Sequence, residues 1–161
     1  MKSQVSTQAE PLPAGFKVQD GIAWGSRKEY LLEIKFHNAR RKNSTTGAGQ
    51  FLISKIINDA QNDEKVKVIL IHGGKFFSSG NDLSVLTNML GKTKEEIRTA
   101  SIDGIFNNMN PYLNALNDSV KPVVAVVRGM CLGIQFTMLT LADFIYCSPD
   151  AVFQTPFMKS F

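Results

Sequence analysis

Two glycine-containing turns are the part of the chain where backbone groups could do chemistry. One is Ser78-Ser79-Gly80-Asn81-Asp82 and the other is Gly129-Met130-Cys131-Leu132-Gly133-Ile134. Each follows a predicted strand and precedes a predicted helix, and the start of a helix leaves backbone N–H groups without internal acceptors. Two such turns that converge can donate two N–H groups to one oxygen, and losing one donor costs about 3–4 kcal/mol of transition-state stabilisation. Glycine turns after strands are more often purely structural, so the spacing alone leaves both interpretations open.

The second turn also fits the chemistry of a cysteine hydrolase. The segment from Gly129 to Gly133 has the Gly-x-Cys-x-Gly pattern of a nucleophile elbow, and His72-Gly73-Gly74 is similar to an esterase oxyanion segment. In that fold the histidine follows the nucleophile along the chain, whereas His37 and His72 both precede Cys131. The order of these residues disfavours the hydrolase.

Several short strands are predicted to precede and follow the two turns. Alternating apolar and polar residues indicate a strand from Tyr30 to Phe36. Apolar, β-branched runs predict buried strands at Val66 to Ile71 and at Val123 to Val127. Further strands are expected at Phe144 to Cys147 and near Phe153.

Helical spacing of apolar residues predicts three helices, over about 45–62, 94–117 and 133–141. In the second helix one face should carry Ile102, Ile105, Met109, Leu113 and Leu116, with a kink at Pro111. Strands that alternate with helices in this way predict an α/β fold with a largely parallel sheet.

The composition indicates a single globular domain. The 161 residues, 43% hydrophobic and 20% charged, are enough for one core. A net charge of +4 is too small to indicate a nucleic-acid partner, and no apolar run is long enough for a membrane span. Residues 1–14 are predicted to be a flexible tail without a clear targeting signal, and residues 15–161 to be the domain. Cys131 and Cys147 lack metal-ligand spacing, so both are expected to be buried, reduced thiols.

Two long segments of the chain resemble the active-site segments of the crotonase family, the enoyl-CoA hydratases and isomerases. They are VKVILIHGGKFFSSGNDLSVL and KPVVAVVRGMCLGIQFTMLTLADFIYCSPDAVFQTPF, and FSSGND and FQTPF are most similar to the Δ3,Δ2-enoyl-CoA isomerase branch. The resemblance implies a crotonase-like ββα spiral fold, truncated before the C-terminal helices. It also implies a coenzyme A thioester substrate, with no further cofactor and no metal. The implied reaction shifts a 3-enoyl-CoA double bond to the 2-enoyl position through an oxyanion-stabilised enolate.

The resemblance also assigns site residues. The two oxyanion donors of the family match the backbone N–H groups of Asn81 and Ile134. Substrate contacts are expected from the loop after the early strand, which family members use to hold coenzyme A, and from the two turns; these candidates are Arg41, Lys42, Asn43, Ser79, Gly80, Asp82, Leu83 and Gly133. A solvated basic loop is an equally good interpretation of Arg40-Arg41-Lys42-Asn43.

The glutamates that activate water in family hydratases match Thr137 and Phe157, and neither of these side chains moves protons at neutral pH. Hydration is therefore disfavoured. The isomerase branch needs one carboxylate, which the match places about four residues beyond Phe161. Asp82 and Asp143 lie near the matched segments but match structural positions.

The resemblance finally implies partners and a compartment. We expect a homo-oligomer, a trimer or hexamer, for a full-length protein, or a partner that covers the face left by the truncation. A mitochondrial or peroxisomal location follows from the family. The alternative to an isomerase is a non-catalytic crotonase-fold subunit that acts through protein–protein contacts.

Overall fold

Eight short strands form two sheets in the computed structural model, which describes residues 11–156. In chain order the strands are β1 (Lys17–Gln19), β2 (Ile22–Lys28), β3 (Leu31–Phe36), β4 (Val68–His72), β5 (Val123–Val127), β6 (Met130–Leu132), β7 (Phe144–Cys147) and β8 (Val152–Gln154). Six of them make the main sheet in the order β1-β2-β3-β4-β5-β7, while β6 and β8 pair separately.

The main sheet is antiparallel at one side and parallel at the other. β1, β2 and β3 pair antiparallel, and β3, β4, β5 and β7 pair in parallel. In the β4–β5 pair His72 lies opposite Val126, so both strands end at the same edge. The segments that follow β4 and β5, which contain the two glycine turns, therefore start side by side.

Five helices connect the strands. They are α1 (Gly47–Gln61), α2 (Ser84–Thr87), α3 (Lys94–Gly104), α4 (Asn110–Asn117) and α5 (Ile134–Met138). Thr46 begins α1 by accepting the N–H of Gly49 at 3.1 Å, and Thr93 and Glu96 form a capping box at α3. Short 3₁₀ turns occupy Ala39–Arg41 and Leu139–Leu141, and a π-helical turn, Ile105–Met109, joins α3 to α4.

The hydrophobic core lies between the main sheet and α1 and α4. Side chains of a strand alternate between its two faces, and Leu32, Ile34 and Phe36 of β3 are all buried on one of them. Buried side chains that meet them in the same cluster include Ile53, Ile57, Ile69, Ile71, Tyr112, Leu116, Val123 and Val127.

The opposite face of β3 is buried as well, although it carries charges. Glu33 and Lys35 are 1% and 5% exposed. Glu33 Oε1 lies 2.7 Å from His72 Nε2 of the neighbouring strand β4. This pairing gives His72 a structural role at the end of β4, as its sequence position indicates.

The predicted strands and helices are present, with small shifts at their ends. The strands at Val123–Val127 and Phe144–Cys147 match their predicted bounds, and α1 lies within the predicted 45–62. The prediction did not include β1 and β2, because their mixed polar sequence lacks clean alternation. It also treated β6 as part of a turn. The predicted tail falls mostly outside the described residues.

The long helix predicted over 94–117 is divided. Met109, Leu113 and Leu116 of the predicted apolar face pack in or against the core, whereas Ile102 and Ile105 are 40% and 41% exposed. The π-helical turn interrupts the α-helical spacing before Pro111, which is accommodated near the start of α4. The predicted kink is therefore a change of helix type ahead of the proline.

The last two strands leave apolar surface open. All four residues of β7 and all three of β8 are exposed, including Phe144, Tyr146 and Val152. Cys147 is exposed, so the expectation of two buried thiols is wrong for this residue and correct for Cys131. Within residues 11–156 no helix is long and apolar enough to cross a membrane.

Candidate oxyanion site between two glycine turns

The first glycine turn lies directly beside β6. Ser78 and Cys131 form a parallel bridge. The N–H of Ser78 donates to Met130 O at 3.0 Å, and the N–H of Leu132 donates to Ser78 O at 3.0 Å. These bonds fix the register between the two segments that the sequence predicts to converge.

The same register continues through the two glycines. Gly80 packs against the peptide of Leu132 and Gly133, since a Cβ on Gly80 would lie 3.0 Å from Leu132 O and 3.8 Å from Gly133 Cα. Gly80 has φ +95° and Gly133 has φ +58°, conformations that favour glycine. Carried one residue further, the register puts Asn81 opposite Ile134.

The backbone N–H groups of Asn81 and Ile134 have no acceptor within residues 11–156. Three neighbouring N–H groups do have acceptors: that of Gly80 donates to Ser78 Oγ at 3.1 Å, that of Asp82 to Thr45 O at 2.8 Å, and that of Gly133 to Gln154 O at 2.9 Å. Ile134 is the first residue of α5, where helix geometry leaves the N–H unused. Two orphan donors on adjoining turns suit an oxygen that gains negative charge.

Arg41 and Asp82 form an ion pair. Arg41 Nη1 lies 2.8 Å from both carboxylate oxygens of Asp82, whose side chain is 5% exposed. Asp82 also accepts the N–H of Ser84 at 2.9 Å, which fixes the start of α2. Hydrogen bonds from Ser84, and the Arg41 guanidinium after them, hold the pKa of Asp82 below its usual value. The structure therefore gives Asp82 a structural role, and the predicted substrate contact stays a prediction.

The side-chain amide of Asn43, a predicted substrate contact, is used within the protein. Its side chain is buried, and Nδ2 donates to Gly73 O and Phe76 O, both at 2.8 Å. Its Oδ1 accepts the N–H of Asn38 at 2.9 Å. Asn43 holds the basic loop against the turn after β4, because its amide satisfies backbone groups on both sides.

Ser79, another predicted substrate contact, is bound to the same loop. Its N–H donates to Lys42 O at 3.0 Å and its hydroxyl donates to Arg41 O at 3.2 Å. Lys42 is exposed, and the Arg41 side chain is 58% exposed despite its ion pair. The cationic groups of the loop are therefore reachable from solvent, while its polar backbone is used internally.

A cavity of about 490 Å³ opens next to Asn81. Leu83, which is 69% exposed, lies at its wall together with residues of α2, α3 and the π-helical turn. The apolar side chains that line it include Val85, Met89, Ile105 and Met109. This largely apolar space borders the turn that carries the Asn81 N–H.

The described side chains near the site offer no ready base. The hydroxyl of Thr137 donates to Ile134 O at 2.9 Å within its own helix. Asp143 Oδ2 accepts the N–H of Val123 at 2.7 Å, which fixes the start of β5. Asp82 is engaged as described above. Phe157 lies outside the described residues.

Cys131 is a buried strand residue rather than an exposed nucleophile. It is 0% exposed in the middle of β6, and burial raises the pKa of its thiol to about 12. A nucleophile elbow presents its thiol at the tip of a strand-to-helix turn as a thiolate. The structure therefore contradicts the hydrolase alternative.

A set of buried polar side chains beside the site was not identified from the sequence. Gln50 Nε2 donates to Asn81 Oδ1 at 2.7 Å, and Gln135 Nε2 donates to Thr45 Oγ1 at 2.9 Å. The available signal is a glutamine among the mainly apolar residues of the helix that follows Gly133. Sequence alone did not show which face of that helix is buried.

Residues 26–160 match the family model of the enoyl-CoA hydratases/isomerases. The chain belongs to this family. The enoyl-CoA hydratase/isomerase match covers both glycine turns and most of the chain, which confirms the resemblance stated from the sequence.

Curated relatives in this family are isomerases by name. The chain is 32% identical over 163 residues to mouse "Enoyl-CoA delta isomerase 3, peroxisomal", covering 98% of this chain and 50% of the relative. It is 31% identical over 161 residues to "Enoyl-CoA delta isomerase 2" from rat, covering 96% of this chain and 40% of the relative. The chain thus spans half or less of the length of these two relatives.

Solved structures share the fold. A family member from Hyphomonas neptunium, titled as an enoyl-CoA hydratase/isomerase family protein, is 27% identical with a TM-score of 0.74. The likeness covers 87% of this chain and 52% of that chain. The predicted crotonase-like α/β fold is confirmed over this part of the family fold.

Proposed function

We propose that the chain binds the coenzyme A thioester of an unsaturated fatty acid and forms the oxyanion part of an enoyl-CoA isomerase site. The observation that carries the proposal is the pair of orphan N–H groups of Asn81 and Ile134 on two turns held in one register. The names of the rat and mouse relatives support the same kind of reaction.

In the proposed reaction a base removes a proton from C2 of a 3-enoyl-CoA. The electrons of the broken C–H bond form a C1–C2 double bond, and negative charge moves onto the thioester oxygen. The N–H groups of Asn81 and Ile134 donate to this oxygen and stabilise the enolate. Protonation at C4 moves the double bond to C2–C3 and restores the carbonyl. One base can carry the proton from C2 to C4, so the reaction needs no further cofactor.

The base in this proposal is the carboxylate that the isomerase pattern places beyond Phe161. Asp82 and Asp143 are excluded from this role in the proposal because both accept backbone N–H groups that fix neighbouring elements. The proposal also excludes hydration, because Thr137 stands at a water-activating position and its hydroxyl donates to its own helix. We therefore expect the chain not to hydrate 2-enoyl-CoA. Detection of 3-hydroxyacyl-CoA in a product assay would contradict this expectation.

The proposed ligand lies with its acyl chain in the cavity beside Asn81 and its phosphates near the basic loop. The apolar wall formed by Val85, Met89 and Ile105 supports the first placement. The exposed ammonium of Lys42 and the exposed edge of Arg41 support the second. We further propose a peroxisomal or mitochondrial compartment, and the name of the mouse relative supports the peroxisomal option. We also propose that the protein forms a homo-oligomer.

The test removes one donor without disturbing the turn. Proline at position 134 lacks the N–H, and proline is well tolerated at the first residue of a helix. The preceding Gly133 has ψ −129°, away from the α region that a following proline disfavours. Ile134→Ala is the matched control, because it removes the same side chain and keeps the N–H.

The measurement is the infrared stretching frequency of a ¹³C-labelled thioester carbonyl in bound trans-3-hexenoyl-CoA. We expect a shift to lower frequency on binding, most of which persists in Ile134→Ala and about half of which is lost in Ile134→Pro. Where the reaction turns over, the proline variant should be slower by about 10²–10³-fold. Absence of the shift in the unaltered chain would overturn the proposal.

A second candidate is a non-catalytic subunit that acts through protein contacts. The exposed apolar residues of β7 and β8 favour it, because such strands are normally covered. The carbonyl measurement separates the two candidates, since a purely structural subunit has no reason to polarise a thioester.

A further inference from the structure

Gln135 follows Ile134 and is fully buried. Both the nitrogen and the oxygen of its side-chain amide are hydrogen-bonded. Its Nε2 donates to Thr45 Oγ1 at 2.9 Å, and its Oε1 accepts the O–H of Tyr112 at 3.1 Å. Burial raises the pKa of Tyr112, so its hydroxyl stays protonated and keeps donating. The side chain next to one orphan amide is therefore held in one orientation.

The backbone of Thr45 is hydrogen-bonded to the segment that carries the Asn81 amide. Its N–H donates to Gly80 O at 2.9 Å and its carbonyl accepts the N–H of Asp82 at 2.8 Å. These two bonds lie on either side of Asn81, with which Thr45 forms a parallel bridge. Thr45 thus fixes the peptide planes before and after Asn81.

Gln50 adds a third contact on the same segment. Its Nε2 donates to Asn81 Oδ1 at 2.7 Å and lies 3.5 Å from Thr45 Oγ1. Gln50, Thr45 and Gln135 are all at most 5% exposed. No fully buried side-chain nitrogen or oxygen of the described residues lacks a partner, and satisfied buried networks rigidify the segments that they join.

We infer that Gln135 is a positioning residue which, through Thr45, sets the separation of the Asn81 and Ile134 N–H groups. We call the Gln135–Thr45 hydrogen bond the tether. The catalytic meaning of the inference rests on the proposed function, whereas the existence of the tether does not. The backbone ladder at Ser78 and Cys131 fixes the register of the two turns upstream of both glycines. The Gln135–Thr45 bond is a second connection, downstream of the glycines, where the ladder no longer holds the chains.

A second connection between the two turns would help to hold both N–H donors in place at an oxyanion site. Donors must lie within about 3 Å of the charged oxygen, and a misplacement of about 1 Å costs about 10²-fold in rate. Glycines allow the turn geometry but also allow alternative geometries, because they restrict the backbone least. The buried tether removes that freedom on the side that faces the ligand.

Variants of Thr45 and Gln135 test the tether, with matched controls. Thr45→Val keeps the shape and the backbone bonds of residue 45 and removes the acceptor Oγ1, whereas Thr45→Ser keeps it. Gln135→Met removes the amide at nearly constant length. Tyr112→Phe removes a bond of the same glutamine and leaves the tether intact, so it controls for general loss of stability.

The first readout needs no ligand. In ¹H–¹⁵N spectra we expect Thr45→Val to shift the remote Ile134 amide and Gln135→Met to shift the remote Asn81 amide. Thr45→Ser and Tyr112→Phe should leave the corresponding remote amide close to its original position. Equal shifts in tether variants and controls, or no remote shift at all, would overturn the inference.

The second readout is the carbonyl frequency of bound ¹³C-labelled trans-3-hexenoyl-CoA. Thr45→Val and Gln135→Met should lose at least half of the binding-induced shift with less than a threefold change in Kd, while both controls keep it. If the unaltered chain gives no carbonyl shift, the proposed function fails, and the amide spectra still decide the tether. If the unaltered chain gives the shift and all variants keep it, the positioning role is wrong.

Discussion

Asn43 shows how one side chain can replace secondary structure at a loop. Its amide satisfies the carbonyls of Gly73 and Phe76 and the N–H of Asn38, and its φ of +58° is one that asparagine tolerates better than most residues. Gly73 is held so close that an added Cβ would lie 1.9 Å from Phe76 O. The basic loop is therefore placed by hydrogen bonds that its positive charge does not reveal.

Asn43→Asp should destabilise the protein strongly. The substitution places a carboxylate where an NH₂ group now donates to carbonyl oxygens, and a buried unpaired charge costs about 3–5 kcal/mol. Asn43→Gly is the control, because it permits the same φ and only removes the hydrogen bonds, at about 1–3 kcal/mol. Urea unfolding at pH 7 measures both; a glycine variant as unstable as the aspartate variant would refute the explanation.

The lowered pKa of Asp82 predicts that the free energy of unfolding depends on pH. Its pKa is lowered in the folded state from the ordinary value of 3.8, because the charged form accepts hydrogen bonds from Ser84 and pairs with Arg41. The stabilisation is therefore complete above that ordinary value, and it is lost as the pH falls through the lowered folded pKa.

Asp82→Asn should thus destabilise the chain by about 1 kcal/mol at pH 7 and by almost nothing near pH 2. Arg41 is largely exposed, so the effect of its ion pair is screened by solvent. Chemical denaturation at both pH values provides the measurement. A difference of the same size at both would show that the charge of Asp82 is irrelevant.

At the scale of elements, the site depends on two strand ends and on the close approach of Gly80 to β6. Gly80→Ala should cost about 1–3 kcal/mol, because it combines a φ of +95° with a Cβ 3.0 Å from Leu132 O. Gly91→Ala is a matched control, since Gly91 has φ +78° and nothing within 4 Å of its Cβ position. The excess destabilisation of Gly80→Ala over Gly91→Ala, measured by thermal unfolding, reports the contact between the turns. Equal losses would mean that only backbone strain matters.

The elements that sequence predicts well are those with strong periodicity. The buried strands Val123–Val127 and Phe144–Cys147 and helix α1 are short apolar runs or a regular amphipathic pattern, and both signals are local. β1 and β2 lack such a pattern, and antiparallel pairing of β1 with β2 and of β2 with β3 stabilises them instead. The π-helical turn is not predicted from the sequence, because the helix prediction assumes a constant period of about 3.6 residues per turn.

The candidate site divides in the same way. The two turns and the amides of Asn81 and Ile134 were predicted, because glycine patterns and family motifs mark backbone geometry. The hydrogen-bond partners of Asn43, Asp82 and Gln135 are not predicted, because each side chain has a partner distant in sequence. Whether those amides bind a thioester stays a prediction.

For the whole molecule, β7 and β8 dominate the surface properties. Phe144 and Tyr146 are 56% and 63% exposed, and within the described chain β7 forms the outer edge of the parallel part of the sheet. An exposed apolar edge strand is a template for pairing with another chain.

The 161-residue chain should therefore self-associate with increasing concentration in sedimentation velocity experiments. Tyr146→Lys should weaken the association by at least about tenfold in Kd, because a charged edge residue opposes strand pairing. Asn117→Lys adds the same charge at an exposed position at the end of α4 and should leave the association unchanged. Concentration-independent sedimentation of the unaltered chain would contradict the prediction.

The π-helical turn Ile105–Met109 gives the cavity wall a means of changing size during evolution. A π turn holds one residue more than the α-helical turn it replaces, so loss of a single codon, for example that of Asn107, would restore regular winding. The restored winding would rotate α3 by about 100° about its axis while α4 kept its seat on α1. Ala100 and Ser101 would then swing away from the lining of the cavity. A one-residue deletion in this turn would therefore reshape the wall of the cavity.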